Sequence, residues 1–156
     1  MIDVDIPGFG HLVLSDLVCD FNGTLARDGR LLEGPRALLP EVARQLRVRV
    51  VTGNTFASAP EQLRQCPCEL TLLDAENQAA AKLALVESIG PQHVAAIGNG
   101  RNDRSMLQRA ALGIAVVGDE GAAREAIEAC DLVARDIESA LDLLLDPRRL
   151  LASLRS

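Results

Sequence analysis

The sequence predicts an α/β fold, a doubly wound and mostly parallel sheet with helices on both faces. Three observations predict it. Short β-rich apolar runs recur along the chain and end in Gly, Asp or Asn. Between them stand segments whose apolar residues recur at helical spacing. The two kinds of segment alternate, as they must when parallel neighbours are joined by crossover helices.

Taken in order, "IDVDIP" and "HLVLSDLV" flank Gly8-Phe9-Gly10 and read as an antiparallel hairpin over about residues 1–15. "DLVCDF" (16–21) is the first core strand, and "LARDGRLLEG" (25–34) is a small second hairpin with Asp28-Gly29 at its tip. A helix over "PRALLPEVARQL" leads to the strand "RVRVVTG" (47–53), and a helix over "FASAPEQLRQ" leads to "CELTLLD" (68–74). The helix "AENQAAAKLALVESIG" precedes the strand "HVAAIGNG" (93–100), and "NDRSMLQRA" precedes "LGIAVVG" (112–118). The helix "EGAAREAIEA", the strand "DLVARD" (131–136) and the helix "IESALDLLL" complete the alternation. Pro147 should end that last helix, because proline cannot continue one. In the tail, Leu150, Leu151 and Leu154 form an apolar stripe expected to pack on the chain's own body.

A chain of 156 residues is long enough for one sheet with its covering helices, so residues 1–156 are expected to form one domain. The N-terminus lacks a basic head and an apolar core, no run of 18 apolar residues exists, and a cytoplasmic location is expected. A net charge of −6, with three Phe and no Tyr or Trp, argues against nucleic acid or an anionic membrane as partner. Of the four cysteines, Cys19 and Cys130 stand in apolar or Ala-rich surroundings and are expected in the core. Cys66-Pro67-Cys68 has no second ligand pair at zinc spacing.

In such a sheet, ligands bind beyond the carboxyl ends of the strands, at the point where strand order reverses. Asp20 ends the first core strand, Thr52 the second, and Asn99 and Asp103 lie at and after the fourth. Lys82 stands on the helix before the fourth strand. It is the only lysine among 16 basic residues, which points to a site that takes a compact charge on a flexible stem and not a planar fork.

The order Asp20, Thr52, Lys82, Asp103, with "DFNGTL" and "IGNGRND", resembles the haloacid dehalogenase superfamily of phosphotransferases. The resemblance spans roughly residues 14–118 and is nearest to the phosphorylation domain of P-type ATPases and their small soluble relatives. It implies that Asp20 is a nucleophile forming an aspartyl-phosphate, which divides one hard displacement into two easier ones. It also implies that Thr52, Gly53, Lys82 and Asn102 hold the phosphoryl group. Mg²⁺ would be bound by Asp20, the Asn22 carbonyl, Asn99 and Asp103, since it takes hard oxygen ligands and retains water. The implied partner is a phosphorylated substrate of unknown identity.

Two positions depart from the family pattern. Asn22 stands where phosphatases of the family carry the Asp that serves as general acid and base, and Asn99 stands where their fourth motif has Asp. An amide exchanges no proton near neutral pH, so a contribution of about 10²–10⁴-fold should be missing. The phosphoenzyme should then persist, as in P-type ATPases, which carry Thr at the position of Asn22. A slow phosphatase fits, and so does a non-enzymatic phosphoaspartate switch or an anion-binding regulatory protein that keeps the fold. Both amides precede glycine, the dipeptide most prone to deamidation, which would restore both acids; tight-turn geometry is the plainer reading of the same pair. The spacings of 52 − 20 = 32 and 82 − 52 = 30 positions leave no room for a cap domain. The site is then open to a macromolecule or covered by a neighbouring subunit in a homo-oligomer, with the 25–34 hairpin as the only local flap.

Overall fold

The computed structural model describes residues 1–53 and 57–156. Its centre is a six-stranded, wholly parallel sheet. In chain order the sheet strands are β3 (Asp16–Asp20), β6 (Arg47–Thr52), β7 (Glu69–Leu72), β8 (Val94–Gly98), β9 (Leu112–Val116) and β10 (Leu132–Ala134). In space they run β10-β9-β8-β3-β6-β7. From β3 the chain winds to one side through β6 and β7, then crosses back to lay β8 against β3's other edge. The reversal of strand order therefore falls between β3 and β8, where such sheets bind ligands.

Strands β3, β8 and β9 are buried at every residue, which explains why they read as continuous apolar runs and not as alternating ones. Successive residues still face opposite ways. Leu17 and Cys19 join the cluster formed with α1 (Glu33–Val42) and α6 (Ile137–Leu145), while Val18 joins the cluster formed with α3 (Gln78–Ile89), α4 (Arg104–Arg109) and α5 (Arg124–Ala129). Helices thus cover both faces. Asp16, buried at the opposite end of β3 from Asp20, is paired with Arg49 at 2.9 Å and needs no ligand to explain it.

The two hairpins flank this body. β1 (Ile2–Ile6) and β2 (Gly10–Leu14) pair antiparallel. β4 (Ala26–Arg27) and β5 (Arg30–Leu31) do the same around Asp28-Gly29, whose φ angles of 50° and 74° match the two-residue turn that twists with its strands. Helix α7 (Arg148–Leu154) buries Leu150 completely and lays Leu151 and Leu154 against the core, so the tail's stripe packs on the chain itself.

Three expectations need adjustment. The helix expected over 56–65 has its first residue outside the described set, and the observed α2 covers only Ala59–Gln62. The helix expected from Glu120 starts at Arg124, because Gly121 takes a left-handed φ of 74° and the Ala123 N–H donates to Asn99 O at 2.8 Å, holding 120–123 as a loop. Cys130 is not a core residue: it terminates α5, half-exposed, with its thiol on Ile127 O.

Candidate active site

The ends of β3, β6 and β8 bring Asp20, Thr52 and Asn99 to one edge of the sheet, and α3 reaches in with Lys82. Lys82 Nζ lies 2.7 Å from Asp20 Oδ1 and 2.6 Å from Asp103 Oδ1, so one ammonium joins two carboxylates. All three groups are buried. The third donor position of Lys82 is directed at Asn102 Oδ1, 3.3 Å away. An isolated charge at such depth is untenable, and the cluster persists because each charge has an opposite neighbour.

Two acids and one base leave a net negative charge. Burial, reinforced by the Asp103 carboxylate and opposed by Lys82, pushes the Asp20 carboxyl up to about 7. For Lys82, burial works downward, but Asp20 and Asp103 outweigh it and hold the ammonium above its ordinary value. The site is therefore short of positive charge when it stands alone.

Asp103 also shapes the backbone. Its Oδ2 accepts the N–H groups of Asn99 at 3.0 Å and Gly100 at 2.8 Å, fixing the turn after β8. Gly98 must be glycine here, since a Cβ would sit 2.5 Å from the Asp103 carboxyl carbon. The Thr24 hydroxyl lies 3.4 Å from Asp20 Oδ2 and 3.2 Å from Asn99 Oδ1, and its one proton serves either acceptor. Asn99 Nδ2 donates to Gly121 O at 3.0 Å.

Among the described residues Asn22 is bonded at one end. Its Nδ2 donates to Thr52 Oγ1 at 3.2 Å, while its buried Oδ1 accepts no hydrogen bond from them. The backbone carbonyl of Asn22 is also left out of the turn: Phe21 O takes the N–H groups of both Thr24 and Ala26, and Ala26 O takes that of Gly23. That last bond bears on deamidation. The nitrogens that would attack the two amides belong to Gly23 and Gly100, and both are engaged, with Ala26 O at 2.9 Å and Asp103 Oδ2 at 2.8 Å. Tight-turn geometry accounts for both Asn-Gly pairs.

The small hairpin forms a rim pinned on both sides. Arg27 meets Asp119 at 2.9 Å and the Asp28 N–H donates to Glu120 Oε1 at 3.2 Å. Across from these, Ser58 Oγ donates to Gly29 O at 2.6 Å and the Leu31 N–H to Gln62 Oε1 at 3.1 Å.

A family model described as haloacid dehalogenase-like hydrolase matches residues 77–140, the stretch that holds Lys82, Asn99, Asn102 and Asp103. An uncharacterized protein of Methanocaldococcus jannaschii is 47% identical over 79 residues, 48% of this chain and 85% of the relative. The chain belongs to the haloacid dehalogenase superfamily. Solved structures agree on the fold. The Moraxella catarrhalis 3-deoxy-D-manno-octulosonate 8-phosphate phosphatase, in complex with magnesium, phosphate and KDO, superposes with a TM-score of 0.71 at 14% identity, over 89% of this chain and 90% of its own. The cobalt-bound form of the corresponding phosphatase from Haemophilus influenzae gives 0.71 at 15% identity, over 92% and 94%. A probable YrbI family phosphatase from Pseudomonas syringae gives 0.69 at 20% identity, over 90% and 89%.

Within this haloacid dehalogenase fold, the oxygen donors present fit a hard divalent cation. Among the described residues no three His, Cys, Asp or Glu side chains converge, so the donors are two carboxylates with amide and carbonyl oxygens. Asp20 Oδ2 meets the long contact from Thr24, the Asn22 carbonyl is outside the turn's hydrogen bonds, and Asn99 Oδ1 accepts, among the described residues, from Thr24. Asp103 is the most committed, with Oδ2 doubly bonded and a lone pair left only on Oδ1. Such a set suits an ion that needs one or two carboxylates and retains its waters.

The structure brings Asp20, Asn22, Thr52, Lys82, Asn99, Asn102 and Asp103 together, with Gly53 directly after Thr52. Two participants escaped the sequence reading. Thr24 links the Asp20 turn to Asn99. Gln78 accepts from Asn102 Nδ2 at 2.9 Å and lies against Gly53. Its position was available in principle, because it precedes Lys82 by four residues and so shares that helix face. No helix among the described residues is long and apolar enough to cross a membrane.

Proposed function

We propose that this haloacid dehalogenase-family enzyme is a Mg²⁺-dependent phosphohydrolase or phosphotransferase that acts through an aspartyl-phosphate on Asp20, with slow release of the phosphoryl group. The observation that carries the reading is the buried Asp20–Lys82–Asp103 cluster at the strand-order reversal, with Thr52 and Asn22 beside it. A Mg²⁺ ion held by Asp20, the Asn22 carbonyl, Asn99 and Asp103 would supply the positive charge that two carboxylates facing one ammonium lack. The Asp20 carboxylate attacks phosphorus as the bond to the leaving oxygen breaks, and that oxygen departs with the electron pair. Lys82 holds the nucleophile by its Oδ1 and balances charge on the transferring group, while Thr52, Gly53 and Asn102 surround it.

In the second step water attacks phosphorus and the bond to Asp20 breaks. The unpartnered Asn22 Oδ1 can accept a hydrogen bond from that water and so orient it. It cannot take the proton. The first step consequently favours acyl phosphates, anhydrides and aryl phosphates, whose leaving groups need no proton, and the second is retarded. The same amide favours a second reading, in which the phosphoaspartate is the product and controls a partner. Without a cap, the substrate is either a macromolecule or enclosed by a second copy of the chain. The four cysteines are free thiols, which supports the cytoplasm as the place of action.

The deciding experiment is intact-mass analysis after incubation with Mg²⁺ and acetyl phosphate, beside an Asp20→Asn control. A gain of one phosphoryl group that requires Asp20, with slow phosphate release, is expected. Neither adduct nor Asp20-dependent phosphate would end the proposal.

A further inference from the structure

We propose that the side-chain amide of Gln78 is a phosphoryl-binding group, presenting its Nε2 hydrogens to the anion at the Thr52-Gly53 strand end. The inference rests on the proposed phosphoryl chemistry and adds a residue that this chemistry had not assigned. It begins with a rule of polarity. Lysine is a donor only, so Lys82 Nζ requires the oxygen of Asn102, 3.3 Å away. Asn102 must then turn its Nδ2 outward, where Gln78 Oε1 accepts it at 2.9 Å. With its oxygen so committed, Gln78 can offer only its NH₂ end to whatever lies beyond. One charged residue thereby orients two amides that are otherwise free to flip.

What lies beyond is Gly53. A Cβ at that position would stand 2.1 Å from Gln78 Nε2, so the amide rests on the backbone of the residue after Thr52 in a space that only glycine leaves. No described residue accepts a hydrogen bond from Nε2. Gln78 is only partly buried, so these hydrogens are within reach of a ligand. Asn102 has meanwhile spent its oxygen on Lys82 and one hydrogen on Gln78. The phosphoryl donor at this side of the cup is therefore the outer amide of the relay.

The test is the affinity for inorganic phosphate, by calorimetry with Mg²⁺ present, in the wild type, Gln78→Leu and Gln78→Glu. Measurement at ~0.5 M salt, where charges act over only a few ångströms, limits long-range repulsion. Loss of a hydrogen bond to an anion is expected to weaken binding about tenfold in Gln78→Leu. Gln78→Glu keeps the oxygen that Asn102 bonds but has no hydrogen to offer, and it should weaken binding at least as much. If Gln78 merely braces Asn102, Gln78→Glu retains wild-type affinity while Gln78→Leu loses it, and the proposal is overturned. Unchanged affinity in both variants overturns it as well. Unfolding midpoints of the variants separate loss of binding from loss of fold. A wild type that binds no phosphate defeats the proposed function itself, and this inference with it.

Discussion

The two halves of the site are built on opposite terms. On the Lys82 side every charged atom is met by protein: Asp20 Oδ1 and Asp103 Oδ1 share the ammonium, and Asp103 Oδ2 takes two backbone N–H groups. On the Asn22 and Asn99 side stand amides, one acceptor is buried without a partner among the described residues, and a single Thr24 proton serves two oxygens. The first half is assembled by folding alone. The second, on the proposed function, would be finished by what binds there. Under the proposed function, their contrast separates the ability to attack phosphorus, which would need Asp20 held in place, from the ability to move protons, which would need an acid at position 22.

The largest effect should come from giving the incomplete half its acid. Asn22→Asp is expected to raise turnover by about 10²-fold or more, chiefly by hastening hydrolysis of the phosphoenzyme. An unchanged steady-state rate would show that proton transfer does not limit the enzyme. Breaking the complete half should cost stability as well as activity. Lys82→Met leaves two buried carboxylates facing each other, and about 3–5 kcal/mol should be lost in urea unfolding. Retention of wild-type stability would mean that the acids simply take up protons.

Asn99→Asp should tighten Mg²⁺ binding by roughly tenfold in calorimetric titration, because ligand charge sets affinity at such sites. The same change should lower the melting temperature of the metal-free protein by crowding a third carboxylate against Asp20 and Asp103. The smallest effect concerns pH. Asp20 holds its proton more tightly folded, at about 7, than unfolded, at about 3.9. Its contribution to stability is therefore complete at low pH, falls as pH rises from about 4 to 7, and stays lost above. Asp20→Asn should remove that fall, so the metal-free variant should melt above the wild type at pH 8 and near it at pH 4. Parallel melting curves across that range would show that Lys82 neutralises Asp20 more fully than burial opposes it.

The sheet was legible because each of its strands announces itself locally. "HVAAIGNG" and "LGIAVVG" are apolar runs stopped by glycine, and β8 and β9 occupy them. Helix α6 occupies "IESALDLLL" from Ile137 to Leu145, with the Asp136 side chain accepting the Ser139 N–H at 2.7 Å as its cap. The misreadings share a cause. Residues 120–123 look helical by composition, but Asn99 holds that loop with its backbone carbonyl and side-chain amide, and no pattern within 120–129 can show a contact 22 residues away. Cys130 looks apolar by its neighbours, yet it stands at a helix end that only the packing of α5 leaves half-exposed.

For the site, residue types and their order sufficed to nominate Asp20, Thr52, Lys82, Asn99 and Asp103, since each sits at or just after a strand end or on the helix feeding one, while Asn102 came only with the family resemblance. The sequence by itself also determined the chemical question, because the amides at 22 and 99 are visible without any fold. Direction was decided only in three dimensions. Which oxygen of Asp103 faces the lysine, which end of Asn22 meets Thr52, and that Gln78 turns its NH₂ toward Gly53 all depend on hydrogen-bond polarity passed between elements. A sequence specifies how many donors and acceptors there are; tertiary structure alone assigns each to its partner, because hydrogen bonds act over about 3 Å between residues that the chain sets tens of positions apart.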